Sequence, residues 1–126
     1  MHTNSEYFSA KPCPRPKSMP RMTIQMPVYK ESLTETILPS IQSVMTAVLH
    51  YKKMGGEANL LICDDGLQLI SEKDRNARIF TYKRHGVSFV ARPPPSVRVR
   101  KGLFKKASNM NYSLNVGIRV DEILAE

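Results

Sequence analysis

Polar residues that suit a phosphorylated ligand follow three apolar segments of the chain. Tyr29 and Glu31 come after the first segment, and the run Asp64, Asp65 and Gly66 comes directly after the second. Carboxylates accept hydrogen bonds from a base or a ribose, an aromatic ring can lie against the base, and cations meet a diphosphate. The third segment is followed by a loop without acids, whose basic residues include Arg98, Arg100, Lys101, Lys105 and Lys106. Together these residues predict a nucleotide site.

Each of these features has a simpler explanation when it is taken alone. Aspartate and glycine are favoured in ordinary turns, and a single tyrosine more often packs in a core than against a base. A basic loop is more often a solvated surface, and Ser108, Asn109 and Asn111 suit a polar helix start. The prediction therefore depends on the joint arrangement, because loops after parallel strands meet at one edge of a sheet.

Three short strands are expected to position these loops. Residues 22–28 alternate between apolar and polar side chains and close on Pro27, as a strand does. Residues 60–63 form a continuous apolar run, which is typical of a strand buried on both faces by helices. Residues 87–91 predict a third strand before three consecutive prolines.

Helices are expected between and after the strands. Ser32 precedes Glu35 by three residues, a capping-box spacing, and apolar residues then recur at helical intervals up to Leu49. Pro39 should kink this helix or split it into a short turn and a longer helix. Residues 71–85 predict a short surface helix that ends at Gly86. A final helix begins at residue 104, with an apolar stripe formed by Ala107, Met110, Asn111, Leu114, Gly117 and Ile118.

This alternation of strands and helices predicts an α/β fold with a mainly parallel sheet flanked by helices. Residues 1–21 form a separate leader in the prediction. They carry four prolines among lysines and arginines, a composition that favours a disordered or extended basic segment. The predicted globular part is residues 22–126.

The charge balance favours an anionic partner without choosing one. The net charge is +8 and the pI is about 9.7, which suits a nucleotide, nucleic acid or an anionic membrane surface. Cys13, Cys63 and the three histidines have neither a disulfide-framework nor a zinc spacing. Without a long apolar run or a signal peptide, we expect a soluble, cytoplasmic chain with reduced thiols.

Three motifs in order resemble family 2 glycosyltransferases. Pro27, Tyr29 and Glu31 match a Pro-x-Tyr-x-Glu pattern on the first strand, and residues 64–66 match an Asp-Asp-Gly element. Residues 106–112 are similar to the Lys-Ala-Gly-Asn-Leu-Asn-Tyr segment of cellulose synthases. Residues 90–93 and 104–106 look like the fungal membrane glycosyltransferases of this family. The resemblance covers residues 22–126.

The resemblance implies the N-terminal part of a GT-A (Rossmann-like) fold that binds a nucleotide sugar, commonly a uridine diphosphate (UDP) sugar. It also implies a nucleotide-binding role for a set of residues in the three loops. Those residues are Pro27, Tyr29, Glu31, Asp64, Asp65, Lys106 and Asn109. Lys106 would meet the diphosphate with Lys105 or Arg100 as helpers, and Asn111 would help Asn109 to shape the wall.

The chain also departs from the family pattern. The family holds a divalent cation, Mg²⁺ or Mn²⁺, with a later Asp-x-Asp that neutralises the leaving group, and this chain has no such motif. The later catalytic base and Gln-x-x-Arg-Trp segment are missing too, so no catalytic residue is assigned. We therefore expect a truncated transferase without turnover, which contacts a membrane only through a missing C-terminal part. Its full-length relatives are membrane proteins with this domain on the cytosolic side. Residues 93–96 replace an expected longer, glycine-containing loop.

Three other classes remain open at this point. A non-catalytic nucleotide-binding or regulatory module would keep the pocket without a complementary half. A nucleic-acid-binding domain is supported by net charge alone, without a recognised motif. A receiver-like signalling domain would need a phospho-accepting aspartate after the third strand, where Arg92 and prolines stand instead.

The sequence predicts that Asp65→Ala weakens UDP binding more than Lys17→Ala does. Asp65 belongs to the predicted pocket, whereas Lys17 belongs to the leader. A UDP titration followed by amide chemical shifts measures both variants. Equal losses would point to general charge attraction rather than to a pocket.

Overall fold

Three parallel strands form the centre of the computed structural model, which describes residues 11, 13–100 and 105–126. The strands are β1 (Arg21–Val28), β2 (Glu57–Asp64) and β3 (Ser88–Val90), and they lie side by side in that order. The helices are α1 (Leu38–Lys53), α2 (Glu72–Arg84) and α3 (Lys105–Ala125). The predicted α/β class with a parallel sheet is confirmed.

The leader and the sheet meet one residue earlier than predicted, because β1 already begins at Arg21. Residues 11 and 13–20 contain no helix or strand, while residues 1–10 and 12 of the predicted leader lie outside the described part. The side chain of Tyr51 on α1 donates a hydrogen bond from its hydroxyl to the Pro20 carbonyl, at 2.7 Å. The end of the leader is therefore held against the folded part.

The register places the carboxyl ends of all three strands at one edge. β1 pairs with β2 from Arg21 opposite Glu57 to Val28 opposite Asp64. β3 pairs only with the last part of β2, beginning at Leu61 opposite Ser88. Parallel neighbours need a crossover connection, and α1 and α2 provide the two crossovers.

Local sequence signals fix the helix ends. Ser32 Oγ accepts a hydrogen bond from the Glu35 amide at 3.2 Å, and a single π-helical turn, Leu33–Ile37, follows. Regular α-helix begins only at Leu38, with Pro39 in its first turn, where the missing N–H costs no helical bond. The predicted split at Pro39 is confirmed. Ser71 caps α2 in the same way, and Gly86 follows its end with a φ of +64°.

The core lies between one face of the sheet and the helices α1 and α2. The strand side chains of this face alternate along β1 and β2, as the pleat requires. They pack against the π-helical turn, α1 and Tyr82 of α2. The buried members of this cluster are Val28, Ile37, Ile41, Leu60, Ile62, Tyr82 and Val87.

The opposite face of the sheet differs from the prediction. A strand buried on both faces was expected at residues 60–63, yet Leu61 is only half-buried and Asn59 beside it is exposed. α3 covers only the carboxyl end of this face, where Cys63 is fully buried. The apolar run is continuous because its last residues lie under α3, not because helices cover both faces throughout.

The apolar stripe predicted on α3 is not its packed side. Leu114 and Ile118 are 54% and 58% exposed, whereas Asn109 and Ser113 are buried against the sheet. Polar side chains occupy the packed side because they bond to backbone carbonyls there. Of the described helices, none is long and apolar enough to cross a membrane.

Gly66 lies where two loops touch. A Cβ atom built on Gly66 would overlap the backbone carbonyl of Tyr29, which accepts a hydrogen bond from Arg78. Gly117, in the exposed part of α3, has no atom within 4 Å of such a Cβ. Glycine is thus required for close approach at residue 66 and is not required for space at residue 117.

We predict opposite effects of the same substitution at these two glycines. Gly66→Ala should lower the free energy of unfolding by about 1–3 kcal/mol or more, because backbone must move to admit the methyl group. Gly117→Ala should raise it by about 0.5–1 kcal/mol, since alanine favours a helix interior. Urea unfolding measures both variants, and a harmless Gly66→Ala would contradict the loop contact.

Candidate nucleotide site at the carboxyl edge of the sheet

A cavity of about 240 Å³ opens at the carboxyl edge of the sheet. Its wall combines the end of β1, the residues after it, the residue after β2 and the first turns of α3. The lining residues are Pro27, Val28, Tyr29, Glu31, Asp65, Lys106 and Asn109. All the residues assigned to the site from sequence lie in this wall except Asp64.

Asp64 is fully buried beside the cavity and faces α2. Its carboxylate accepts hydrogen bonds from Arg78 Nη1 at 2.9 and 3.0 Å, from the Tyr82 hydroxyl at 2.7 Å and from the Gly66 amide at 3.1 Å. A buried carboxylate is tolerated only when it is paired and hydrogen-bonded in this way. This environment assigns Asp64 to holding the loops together rather than to contacting a ligand.

Arg78 connects that carboxylate to the loop after β1. Its Nη1 donates to the Tyr29 carbonyl and its Nη2 donates to the Glu31 carbonyl, both at 2.8 Å. Within this loop, the Tyr29 amide donates to the Glu31 carboxylate at 2.6 Å. Lys30 Nζ lies 5.6 Å from the centre of the Tyr29 ring. The position of two cavity residues thus depends on one buried guanidinium.

Tyr82 supports the same arrangement as a permanent hydrogen-bond donor. Burial raises the pKa of its hydroxyl well above the usual range, and the nearby Asp64 carboxylate raises it further. The hydroxyl therefore stays protonated and can donate to Asp64. The ring also packs against Phe89 of β3, with centroids 5.3 Å apart.

Asp65 lines the cavity but is already paired with two arginines. Arg92 binds it in a bidentate manner, Nε to Oδ1 and Nη2 to Oδ2, both at 2.6 Å. Arg100 Nη1 lies 3.1 Å from Oδ1 and donates to the Asp65 carbonyl at 3.0 Å. The hydrogen bond to Asp65 raises the pKa of Arg92 above its ordinary value. Two guanidinium groups thus contact a single carboxylate at this point.

The pairing leaves Asp65 with limited capacity for a ligand. A carboxylate has about four acceptor sites. Arg92 donates to one site on each oxygen, and Arg100 lies at ion-pair distance from Oδ1. One acceptor site on Oδ2 remains. The local excess of positive charge favours an anion in the cavity.

The first turns of α3 close the site. Arg92 Nη1 donates to Ser108 Oγ at 2.8 Å, which joins α3 to the loop after β3. Asn109 Nδ2 donates to the Cys63 carbonyl at 2.6 Å. Asn109 Oδ1 is buried and has no hydrogen-bond partner within the described residues. Lys106 lies one turn earlier and is exposed.

Three further residues were expected to assist Lys106 or Asn109, namely Arg100, Lys105 and Asn111, and the two whose side chains are described, Arg100 and Asn111, do not line the cavity. Arg100 donates to the carbonyls of Pro93 and Arg92 as well as to Asp65, so it holds the loop in place. The side chain of Lys105 and residues 101–104 lie outside the described part. Asn111 is exposed and does not line the cavity.

The residues present do not fit the divalent cation that the family resemblance implies. Mg²⁺ and Mn²⁺ take several oxygen ligands, carboxylates above all. The Asp64 and Asp65 carboxylates already contact guanidinium groups. In the described part of the chain, no three histidine, cysteine, aspartate or glutamate residues are grouped so that they could hold a metal ion.

Comparisons with protein-family models, curated proteins and solved structures find no match to this chain. The family resemblance therefore depends on the sequence motifs alone.

Sequence reasoning missed the two arginines that organise the site. Residues 71–85 were expected to form a short surface helix, yet Arg78 on this helix is buried. The only local signal is that Arg78 and Tyr82 are four residues apart, which places them on one helix face. Arg92 was seen only as a residue after β3, since nothing local indicates its distant partner Asp65.

We predict that Arg78→Met destabilises the protein by about 3–5 kcal/mol, because it leaves the buried Asp64 carboxylate without its counter-charge. Arg84→Met is the matched control, since Arg84 is exposed on the same helix. It should change the free energy of unfolding by less than about 0.5 kcal/mol. Chemical denaturation of both variants measures this. Similar stability of the two variants would contradict the role of Arg78.

Proposed function

We propose that this chain binds a nucleotide sugar, a UDP sugar in the first instance, as the donor-binding part of a family 2 glycosyltransferase. One observation carries the proposal. Residues from the loop after β1, the turn after β2 and the start of α3 border a single cavity at the carboxyl edge of a parallel sheet. Ligands of open α/β sheets bind at this edge.

The cavity suits the nucleoside portion of such a ligand. Its volume of about 240 Å³ is just below the range of about 300–1,000 Å³ that is usual for small-molecule pockets. In the proposed pose, the Tyr29 ring lies against the base. The remaining acceptor site of Asp65 receives a hydrogen bond from the base or the ribose. Asn109 Oδ1 offers a second buried acceptor, and a buried acceptor is stabilised by a hydrogen-bond donor from a ligand.

The diphosphate in this pose lies at the mouth of the cavity beside Lys106. The ammonium group of Lys106 is exposed there, and the pair of guanidiniums around Asp65 adds positive charge behind it. Charge-assisted hydrogen bonds to phosphate are stronger than neutral ones. Residues from separate segments thus have separate parts of the ligand to recognise.

A second function, a nucleotide-binding module without catalysis, is favoured by one feature of the site. Glycosyl transfer needs a base that takes a proton from the acceptor hydroxyl. The carboxylates of Asp64 and Asp65 contact arginines instead, and the Glu31 carboxylate accepts from the Tyr29 amide. Sugar transfer after addition of the family's later segments would support the transferase, and UDP binding without such rescue would support the module.

The proposal also implies a reducing compartment such as the cytosol. Cys13 and Cys63 are both free thiols, and burial raises the pKa of the Cys63 thiol so that it stays protonated. Proteins with unpaired thiols of this kind are typical of compartments in which disulfides do not persist.

We predict that Lys106→Ala weakens the binding of UDP about tenfold or more, through the loss of a charge-assisted contact. The same substitution should change the binding of uridine by less than about twofold, because uridine lacks the diphosphate. Lys52→Ala, an exposed lysine on α1, removes the same charge far from the cavity. Titrations followed by amide chemical shifts measure both ligands on all three proteins.

Two results would count against the pose. If Lys52→Ala weakened UDP binding as much as Lys106→Ala, the attraction would be general rather than local. If Lys106→Ala weakened uridine and UDP equally, Lys106 would contact the nucleoside instead of the diphosphate.

A further inference from the structure

A second cationic surface lies at the opposite end of the strands from the cavity. A shallow cavity of about 500 Å³ lies there. Its wall includes Arg15 and Lys17 of the leader, Arg21 of β1, Met54 after α1 and Glu57 at the start of β2. The last turn of α1 adds His50, Lys52 and Lys53. We call this group of residues, with the neighbouring Met22 and Leu49, the amino-end surface.

Chain topology extends this surface to α2. The crossover helices run antiparallel to the strands, so α1 and α2 both end where the next strand begins. The last turn of α2 carries Lys83 and Arg84. These two lie about 13 Å nearer the carboxyl edge than the others, because β3 begins opposite Leu61 of β2, four residues after Glu57.

The charge of the amino-end surface is almost entirely of one sign. Glu57 is the one acid that the described strands, α1 and α2 contribute there, and it forms an ion pair with Arg21. The other acids near these helices lie in their first turns, at Glu35, Glu72 and Asp74. Lysine and arginine are ordinary at helix C-termini, but that preference does not account for Arg15, Lys17 and Arg21.

Exposed apolar side chains lie among these cations. Met22 beside Arg21 is 39% exposed, and Leu49 beside the last turn of α1 is 56% exposed. Met54 is half-buried in the wall of the shallow cavity. A cationic surface with apolar residues is the composition that binds the boundary of an anionic bilayer.

Nucleic acid fits the same surface less well. Single-stranded nucleic acid uses aromatic rings on which bases stack. Around the leader and α1 the described aromatic residue is Tyr51, which is engaged elsewhere, and on α2 a single exposed ring, Phe80, lies one turn before Arg84. The Tyr51 ring lies against Gly56 and its hydroxyl bonds to Pro20.

We propose that the amino-end surface docks this protein on an anionic lipid bilayer, with Leu49 and Met22 entering the interface. The inference goes beyond the proposed nucleotide site and does not depend on it, and it replaces the expectation that a membrane is contacted only through a missing C-terminal part. Docking in this orientation leaves the carboxyl edge of the sheet facing the aqueous phase, about 26 Å away over the eight residues of β2.

Vesicle sedimentation tests the proposal with the full chain. The vesicles are phosphatidylcholine alone, or phosphatidylcholine with about 30% phosphatidylserine, an anionic lipid of the type that attracts basic surfaces. The double variant Lys52→Gln/Lys53→Gln should lower partitioning onto the anionic vesicles about 30-fold. The matched control Lys73→Gln/Arg98→Gln removes the same charge from exposed residues at the carboxyl edge. It should change partitioning by less than about threefold.

Further measurements separate lipid docking from other forms of attraction. Leu49→Ser should lower partitioning onto anionic vesicles about tenfold, since burial of leucine contributes to interfacial binding. Circular dichroism checks that each variant is folded. Equal effects of the two double variants, or equal binding to neutral vesicles, would overturn the proposal. Binding to a random DNA duplex is measured with the same variants. If the Lys52 and Lys53 substitutions abolished DNA binding but left vesicle binding unchanged, the proposal would be overturned in favour of nucleic acid.

Discussion

The buried ion pair between Arg78 and Asp64 determines where the loops of the carboxyl edge lie. Moving two charges out of water costs several kcal/mol for each ion, and their attraction offsets this only when further hydrogen bonds satisfy both groups. Both groups are satisfied here. The guanidinium also bonds to the carbonyls of Tyr29 and Glu31, and the carboxylate also accepts from Tyr82 and Gly66. The pair therefore fixes the position of the loops. Its net contribution to stability is small, although removal of one partner alone is costly.

The two adjacent aspartates divide two tasks because of the geometry of a strand. Successive side chains point to opposite faces of a sheet, so Asp64 meets α2 while Asp65 meets the loop after β3 and the start of α3. Each carboxylate has its own arginine, Arg78 or Arg92. Because each carboxylate has its own cationic partner, two neighbouring acids can be buried side by side in one turn. One of them anchors the loops and the other borders the cavity.

Local signals in the sequence were sufficient for the order and the ends of the elements. The serine at residue 32, the proline at residue 39 and the glycine at residue 86 act within four residues of themselves, and the structure confirms all three. The surroundings of Arg78 and Arg92 could not be predicted in the same way. Their partners lie 14 to 49 residues away, and helical periodicity treats an arginine as a solvent-facing residue. The α3 stripe failed for a related reason, because the packed side chains bond to the Cys63 carbonyl at the sheet edge and to the Asn109 carbonyl within α3.

A parallel sheet with antiparallel crossover helices has two electrostatically different ends. The helix N-termini lie at the carboxyl edge, where their partial positive charge favours anions. At the other end, lysine and arginine side chains compensate the partial negative charge at the C-termini of α1 and α2. In this chain the leader adds more cations than that compensation requires, so both ends attract anions for different reasons. Since the two ends are separated by the length of β2, a nucleotide at one end and a lipid surface at the other do not compete for the same residues. Salt should weaken attraction at the exposed amino end more than at the partly enclosed cavity, because screening is strongest for exposed charges.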